Sequence, residues 1–155
     1  MGIKSYQGKR AEEIPSQGEN ITVEDYMTRD MITFRKEQSV LEVMETLIKH
    51  RVSGGPVVNE NMELIGIISE GDCIKQISES RYYNMPMENI SVEKYMVSNV
   101  ETIPPEMNLF DAANKFLTIR KRRFPVCKDG KLVGLISQKD VLKAALKLTG
   151  NNWKK

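Results

Sequence analysis

The chain contains two copies of one sequence unit. Val23–Met27 reappears as Val92–Met96, an offset of 69 residues (23 to 92). After a one-residue gap the offset becomes 68, and Leu64–Ser69 aligns with Leu132–Ser137. A repeat of this length is one supersecondary unit that cannot bury its apolar face alone. The sequence therefore predicts one globular unit in which the two copies pack against each other.

Each copy predicts the same order of elements, β-α-β-β-α, after a short helical turn. Brief extended segments open the two copies (residues 32–34 and 100–103). The helix that follows begins at a capping residue, Ser39 or Asn108, with an acid three positions later and apolar residues at helical spacing behind it. Two apolar runs then predict strands buried on both faces. A second helix begins near Ser69 or Ser137, so the fold class is α/β (α+β).

The repeat also divides the chain into five predicted segments. They are an N-terminal arm (1–20), a first repeat (21–80), a linker (81–91), a second repeat (92–149) and a tail (150–155). The arm is rich in polar residues and lacks periodicity, so we expect it to be ordered only where it contacts the rest of the chain.

The composition argues against several classes of protein. Hydrophobic residues make up 40% and charged residues 28% of the 155, which is typical of a soluble globular protein. The longest apolar stretch is about five residues, whereas a bilayer span needs ~20, and residues 1–20 lack the pattern of a secretory leader, so we do not expect secretion by a signal peptide. One histidine and two cysteines supply neither a metal cluster nor a disulfide framework. With no nucleophile–base pair and no Walker-type loop, we expect a cytoplasmic protein that is not an enzyme.

The net charge of +2 is unevenly distributed. Residues 21–80 carry six basic and eleven acidic side chains (−5), and residues 81–155 carry fourteen and seven (+7). The densest basic run is Arg120–Arg123, which attracts anions. Nucleic-acid binding is one reading of this surface. The low total charge and the lack of aromatic residues among the arginines argue against it.

The strongest motif is Gly-x-x-Ser-x-x-Asp, present once per copy. Gly66, Ser69 and Asp72 carry it in the first copy, and residues 134, 137 and 140 in the second. Ser-x-x-Asp at a helix start is a capping arrangement. A carboxylate after a strand can instead accept two hydrogen bonds from a ribose diol. Both interpretations stay open.

A second candidate feature distinguishes the copies. Arg122 and Arg123 lead directly into a predicted buried strand, where their guanidinium groups could face a phosphate. A charge run of this kind is also typical of a solvated helix end. The first copy has the uncharged Ser53–Gly55 at this place. Two non-equivalent sites are therefore expected, of which one suits phosphates.

The doubled unit, the leading Val-Glu-x-Tyr-Met turn and the doubled Gly-x-x-Ser-x-x-Asp resemble a tandem pair of CBS domains over residues 21–149. The resemblance implies two repeats packed through their sheets by a pseudo-twofold axis, with two clefts that bind adenine nucleotides or S-adenosylmethionine. It also implies a homodimer. Most CBS pairs are attached to an enzyme, channel or transporter; no such domain is present, so a free-standing module is expected.

The resemblance also assigns site residues by position. Asp72 and Asp140 resemble the ribose-binding acids, with Ser69 and Ser137 as their hydroxyl companions. Further ligand-binding residues are assigned on the first strands, in the basic pair and at the glycine edge (Thr33, Thr102, Arg122, Arg123, Gly54 and Gly55). We expect Asp72 to share one cleft with the arginine pair, and Asp140 to share the other with the Ser53–Gly55 edge.

The leading hypothesis is a non-catalytic sensor of adenine nucleotides, with the nucleotide as regulatory ligand and no catalytic cofactor. It would act as a homodimer on an unidentified protein target. Two alternatives remain. One is a purely structural dimerisation module in which the Ser-x-x-Asp motifs are only helix caps. The other is weak nucleic-acid binding through the basic second repeat.

Overall fold

The computed structural model describes residues 21–83 and 90–149, without the side chains of 82 and 83. The predicted arm (1–20), the tail (150–155) and residues 84–89 of the predicted linker lie outside the described residues. In chain order the elements are α1 (Val23–Tyr26), α2 (Val40–His50), β1 (Gly54–Val58), β2 (Leu64–Ser69), α3 (Glu70–Tyr83), α4 (Val92–Tyr95), α5 (Leu109–Ile119), β3 (Arg123–Lys128), β4 (Lys131–Ser137) and α6 (Gln138–Leu148). Helix α3 therefore continues into the segment predicted as a linker.

The longer helices begin where their capping residues predict. Ser39 forms a complete capping box with Glu42 at the start of α2. At the start of α5, the side chain of Asn108 accepts from the Phe110 amide at 2.8 Å instead of forming a box with the acid at position 111. Each helix ends at an arginine whose backbone is in the left-handed conformation, Arg51 (φ 56°) or Arg120 (φ 64°). The two arginines occupy the same position in the two repeats.

Each repeat contributes a two-stranded antiparallel hairpin, β1–β2 or β3–β4. Asp129 and Gly130 both have positive φ (54° and 81°) and form the two-residue turn that their sequence predicts. The prediction of strands buried on both faces holds for β1 but is wrong for the second strand of each hairpin, because burial alternates along β2 and β4. Ile67 of β2 and Leu135 of β4, both partly exposed, are the residues whose backbone pairs with the other repeat.

The predicted opening strands are reduced to single bridging residues. Phe34 donates to the Pro56 carbonyl (2.8 Å) and accepts from the Val58 amide (2.9 Å), and no longer ladder forms. Ile103 makes the equivalent bridge to Val126. After Phe34 the chain turns at once towards the cap of α2, and after Ile103 comes Pro104, which has no N–H to donate. The segments therefore end before a strand can extend.

The short leading helices are exchanged between the repeats. Val23 of α1 and Met27, the residue that ends this helix, belong to the first repeat but are buried in the core of the second, against Ile103, Phe116 and Ile136. Because the repeats are alike, α4 makes the reciprocal contact in the core of the first repeat, where Val92 is fully buried. Each apolar core is therefore completed by a helix from the other repeat.

The contacts between the repeats confirm packing about a pseudo-twofold axis. Thr28 bridges Leu135, and their positional counterparts Val97 and Ile67 form the matching bridge. At the hairpin tips the Leu64 amide donates to the Gly130 carbonyl (3.2 Å), and the counterpart bond from Leu132 to Met62 measures 2.8 Å. The fold class is as predicted. No helix in residues 21–83 and 90–149 combines the length and apolar character needed to cross a membrane.

Two clefts between the repeats

The first cleft is a cavity of about 280 Å³ between the hairpins of the two repeats. It brings together residues far apart in the chain: the cap of α3, the start of β1, the segment after α4, and the start of β3. The residues with polar or charged side chains that line it are Ser53, Ser69, Asp72, Asn99, Glu101, Lys121, Arg122 and Arg123.

The second cleft, of about 260 Å³, is the pseudo-symmetric counterpart of the first. Asp140 and Ser137 replace Asp72 and Ser69, and the segment after α1 replaces the segment after α4. The residues lining it are Thr28, Asp30, Met31, Ile32, Val52, Gly54, Arg123, Leu135, Ser137 and Asp140.

Both predicted ribose-binding acids act as helix caps. Oδ2 of Asp72 accepts from the Ser69 amide (2.8 Å) and from the Ser69 hydroxyl (3.0 Å). Asp140 and Ser137 repeat the arrangement at 2.9 and 3.0 Å. Oδ1 of each carboxylate accepts no hydrogen bond from the described residues. The capping interpretation is thus observed, and one carboxylate oxygen of each acid is left for a further donor.

The predicted basic pair lies in the first cleft with Asp72. Arg122 is exposed and Arg123 is half-buried. Nη1 of Arg123 donates to the Ser53 hydroxyl of the other repeat at 3.2 Å. The Arg122 carbonyl accepts from the amide of Gln138 (3.0 Å), which fixes the entry to β3 beside the start of α6. The arrangement places two guanidinium groups on the wall of a cavity that also holds a carboxylate.

Glu101 is an acid in the first cleft that sequence reasoning missed. Its carboxylate pairs with Nζ of Lys115 at 2.8 Å, and the same ammonium donates to the Thr102 carbonyl (3.3 Å). The Lys115 ammonium also lies 5.8 Å from the centre of the Phe124 ring. The negative charge of Glu101 is therefore opposed by a partly buried ammonium group, and the cleft retains its positive character.

The second cleft differs from the first because the repeats differ at one place. Lys121, Arg122 and Arg123 correspond by position to Val52, Ser53 and Gly54. A Cβ atom at Gly54 would lie 2.8 Å from the Ile68 carbonyl oxygen, so the backbone there leaves no room for a side chain. Arg123 is consequently the single basic residue lining the second cleft, within the part of the chain that is described, and the same lining contains Asp30 and Asp140.

The remaining predicted residues divide between the clefts. Gly54 lines both, whereas Ser53 and Gly55 line the first cleft and not the second as expected. Thr33 and Thr102 line neither, because their segments enter the core one residue later, at Phe34 and Ile103. The residues just before them line the clefts instead (31–32 and 100–101). The ligand-binding roles of all these residues stay predictions.

The two cysteines offer no reactive centre. Burial raises the pKa of the Cys127 thiol. Burial, followed by the charges of Asp72 and Glu70, raises the pKa of the Cys73 thiol. Both are therefore protonated near neutral pH, and protonated thiols are poor nucleophiles. Within the described residues no group of three or more His, Cys, Asp or Glu side chains could hold a metal ion.

Comparison with known proteins agrees with this architecture. The CBS domain family matches the chain twice, over residues 23–79 and 92–147. Among curated relatives, protein MJ1225 of Methanocaldococcus jannaschii is 31% identical over 134 residues, and the chloroplastic CBS domain-containing protein CBSX1 of Arabidopsis thaliana is 32% identical over 153. These alignments cover 86% and 82% of this chain but 45% and 65% of the relatives. The chain thus spans less than two thirds of either relative.

Solved structures show the same fold. CBSX2 of Arabidopsis thaliana in complex with AMP superposes with a TM-score of 0.73 at 30% identity, covering 83% of this chain and 98% of that one. The CBS domain pair of protein MJ0100, in complex with 5′-methylthioadenosine and S-adenosyl-L-methionine, gives 0.66 at 25%, covering 82% and 97%. With two family matches, an internal pseudo-twofold axis and these structural neighbours, the chain belongs to the CBS domain family as a tandem CBS pair.

Proposed function

We propose that this chain is a non-catalytic regulatory module that binds an adenine nucleotide in its first cleft. One observation carries the proposal: Asp72 and the pair Arg122–Arg123, about fifty positions apart in sequence, line one cavity of about 280 Å³. A carboxylate suits a ribose diol, and guanidinium groups suit a phosphate. The AMP bound by CBSX2, which shares this fold, offers both a ribose diol and a phosphate.

The second cleft has the ribose-type carboxylate but a poor phosphate site. Asp30 and Asp140 outnumber the shared Arg123 in its lining. We therefore assign to it a ligand with little or no negative charge, such as a nucleoside or a sulfonium compound. The 5′-methylthioadenosine and S-adenosyl-L-methionine bound by the MJ0100 domain pair are ligands of that kind.

The module is further proposed to act as a homodimer on a protein target in the cytoplasm. Each repeat exposes an apolar helical face, defined by Ile48 (79% exposed) and Ile74 (63%) in the first repeat and by Leu117 (76%) and Leu142 (63%) in the second. The two faces are positional counterparts, so the pseudo-twofold axis relates them. A second copy, related by a twofold axis perpendicular to this pseudo-twofold axis, can therefore cover both faces at once.

Calorimetric titration with AMP, adenosine and GMP tests the ligand assignment. AMP is expected to bind wild type, and Arg122→Ala to weaken AMP by roughly tenfold with adenosine unchanged, because only AMP offers a phosphate. Asp72→Ala weakens both. Lys128→Ala is the matched control, since Lys128 is an exposed basic residue at the far end of β3, the strand that follows Arg122, and lines neither cleft.

Two results would refute the assignment. One is the absence of binding heat with AMP and adenosine alike, on protein shown by mass spectrometry to be free of ligand. The other is an equal effect of Arg122→Ala and Lys128→Ala on AMP. Either would favour the second candidate function, a packing module in which Ser69–Asp72 is only a cap. The completeness of that cap, with an amide and a hydroxyl donating to one carboxylate oxygen, is what favours this alternative.

A further inference from the structure

Arg123 belongs to both clefts. Its backbone pairs across the hairpin with Ser137, the cap residue of the second cleft. Its guanidinium group reaches across the pseudo-twofold axis to the Ser53 hydroxyl, which lines the first cleft. The side chain therefore spans the wall between the two cavities, and it lines each of them.

The shared position is not duplicated by symmetry. The counterpart of Arg123 is Gly54, where a Cβ atom would meet the Ile68 carbonyl oxygen at 2.8 Å. One guanidinium group consequently serves two cavities. The first cleft has Lys121 and Arg122 in addition, whereas the described lining of the second contains no other cation.

We infer that Arg123 couples the two clefts negatively for phosphorylated ligands, an inference that rests on the function proposed above. A phosphate in the first cleft draws the guanidinium towards Arg122 and away from the second cleft. The second cleft then presents Asp30 and Asp140 with no opposing charge from the described chain, and it rejects a second phosphate. A ligand without a phosphate does not compete for Arg123, and it binds the two clefts independently.

The bond to Ser53 identifies the resting position of the shared group. A hydroxyl acceptor forms a weaker hydrogen bond with a guanidinium than a phosphate does, because the phosphate bond is assisted by charge on both partners. The bond to Ser53 therefore holds the guanidinium at the first cleft only weakly. With both clefts empty, a phosphorylated ligand in either cleft can draw it away from Ser53.

The test compares AMP binding at the second cleft with the first cleft filled and empty. Asp72→Ala weakens the first cleft, and calorimetry with AMP then reports the second cleft with Arg123 free. The dissociation constant of AMP at the second cleft of this variant is expected to be at least about tenfold lower than that of the second AMP step of wild type. Tenfold is what one hydrogen bond to a charged group contributes. Asp72→Asn repeats the measurement in a variant that keeps a side-chain acceptor for the cap of α3.

Second substitutions assign the effect to Arg123. Asp72→Ala combined with Arg123→Ala is expected to lose the tenfold gain. The matched control, Asp72→Ala combined with Arg122→Ala, is expected to keep it, since Arg122 does not line the second cleft. Titration with adenosine should give the same second-cleft affinity in wild type and in Asp72→Ala.

The outcomes separate the inference from the proposed function. If wild type binds AMP and its second step matches the Asp72→Ala value, the coupling is overturned while nucleotide binding stands. If Arg123→Ala and Arg122→Ala have equal effects in the Asp72→Ala background, Arg123 is not shared. If wild type binds no AMP, the proposed function fails and the coupling fails with it.

Discussion

The carbonyl oxygen of Val97 lies 2.9 Å from the position that a Cβ atom on Gly66 would occupy. Met96 Sδ lies as close, at 2.8 Å. Val97 follows α4, the exchanged helix, and its backbone pairs with Ile67 at 2.8 and 2.9 Å. The missing side chain of Gly66 is thus what lets the segment from the other repeat reach the hairpin. Gly134 has the same relationship with Met27 and Thr28.

Gly66→Ala is therefore expected to destabilise the fold by about 1–3 kcal/mol, the range for overpacking a close contact. The backbone of Val97 cannot move aside as a flexible side chain can. Gly71→Ala is the control: a Cβ there meets nothing nearer than Ser69 Oγ at 3.7 Å, and alanine favours the helix. Urea unfolding should show a loss for Gly66→Ala only. Equal midpoints for Gly66→Ala and wild type would contradict the close-approach argument.

The exchange of leading helices could not be predicted from the sequence. A helix such as Val23–Tyr26 offers the same apolar residues whether it packs on its own repeat or on the other one, and the two repeats offer nearly identical surfaces. The periodicity is therefore the same for both arrangements. What distinguishes them is the path of the chain after Met27, where Thr28 pairs with Leu135, and that pairing is not encoded in any local pattern.

The resemblance to tandem CBS pairs implied the cleft that joins Asp72 to Arg122 and Arg123, because it sets the basic pair of one copy opposite the acid of the other. The residues after the leading helices, such as Asp30 and Glu101, were missed because their sequence carries no motif. The repeat offset does contain a signal: Asp30 corresponds to Asn99 and Ile32 to Glu101, so one cleft residue identifies its counterpart.

The caps allow a second prediction, which separates capping from ligand binding. Ser69→Ala and Ser39→Ala each remove a serine cap and are expected to cost about 1 kcal/mol of unfolding free energy. Ser39 starts α2 and lines neither cleft. Only Ser69→Ala should also lower the affinity for AMP, because it removes the hydroxyl, one of the two donors that orient the Asp72 carboxylate. Equal AMP affinities in both variants would leave Ser69 and Asp72 with a capping role alone.

A third prediction concerns alkaline stability. The hydroxyl of Tyr95 on α4 donates to the Glu79 carboxylate on α3. This bond, with a smaller effect of burial, raises the pKa of Tyr95 above its ordinary value. A pKa raised by folding means that the folded chain holds the proton more tightly. The contribution to stability is complete below the unfolded pKa of ~10 and is lost as the pH rises through the folded value.

Tyr95→Phe is accordingly expected to be less stable than wild type at pH 8. The difference in unfolding free energy should shrink progressively above pH ~10. Tyr26→Phe is the matched control, because Tyr26 has the same position on α1 and its hydroxyl forms no hydrogen bond with the described residues. In the second repeat, the position that corresponds to Glu79 holds Lys147. Thermal unfolding between pH 8 and 11 measures the difference. A constant gap between Tyr95→Phe and wild type over that range would show that the Glu79 bond does not control the titration.

The exposed helical faces lead to the last prediction. Leu117 is 76% exposed and its counterpart Ile48 is 79% exposed in the single chain. The proposed homodimer would bury both side chains. Leu117→Glu places a carboxylate in that interface. The dimer dissociation constant should rise at least tenfold, since burying an unpaired charge costs more than ~1.4 kcal/mol.

Asn61→Glu is the control, because it adds the same charge at the exposed turn between β1 and β2 and should leave the dimer intact. Sedimentation equilibrium distinguishes the 17.7 kDa chain from its dimer. A wild-type protein that sediments as a single chain at every concentration would refute the interface, and so would equal dissociation of the two glutamate variants.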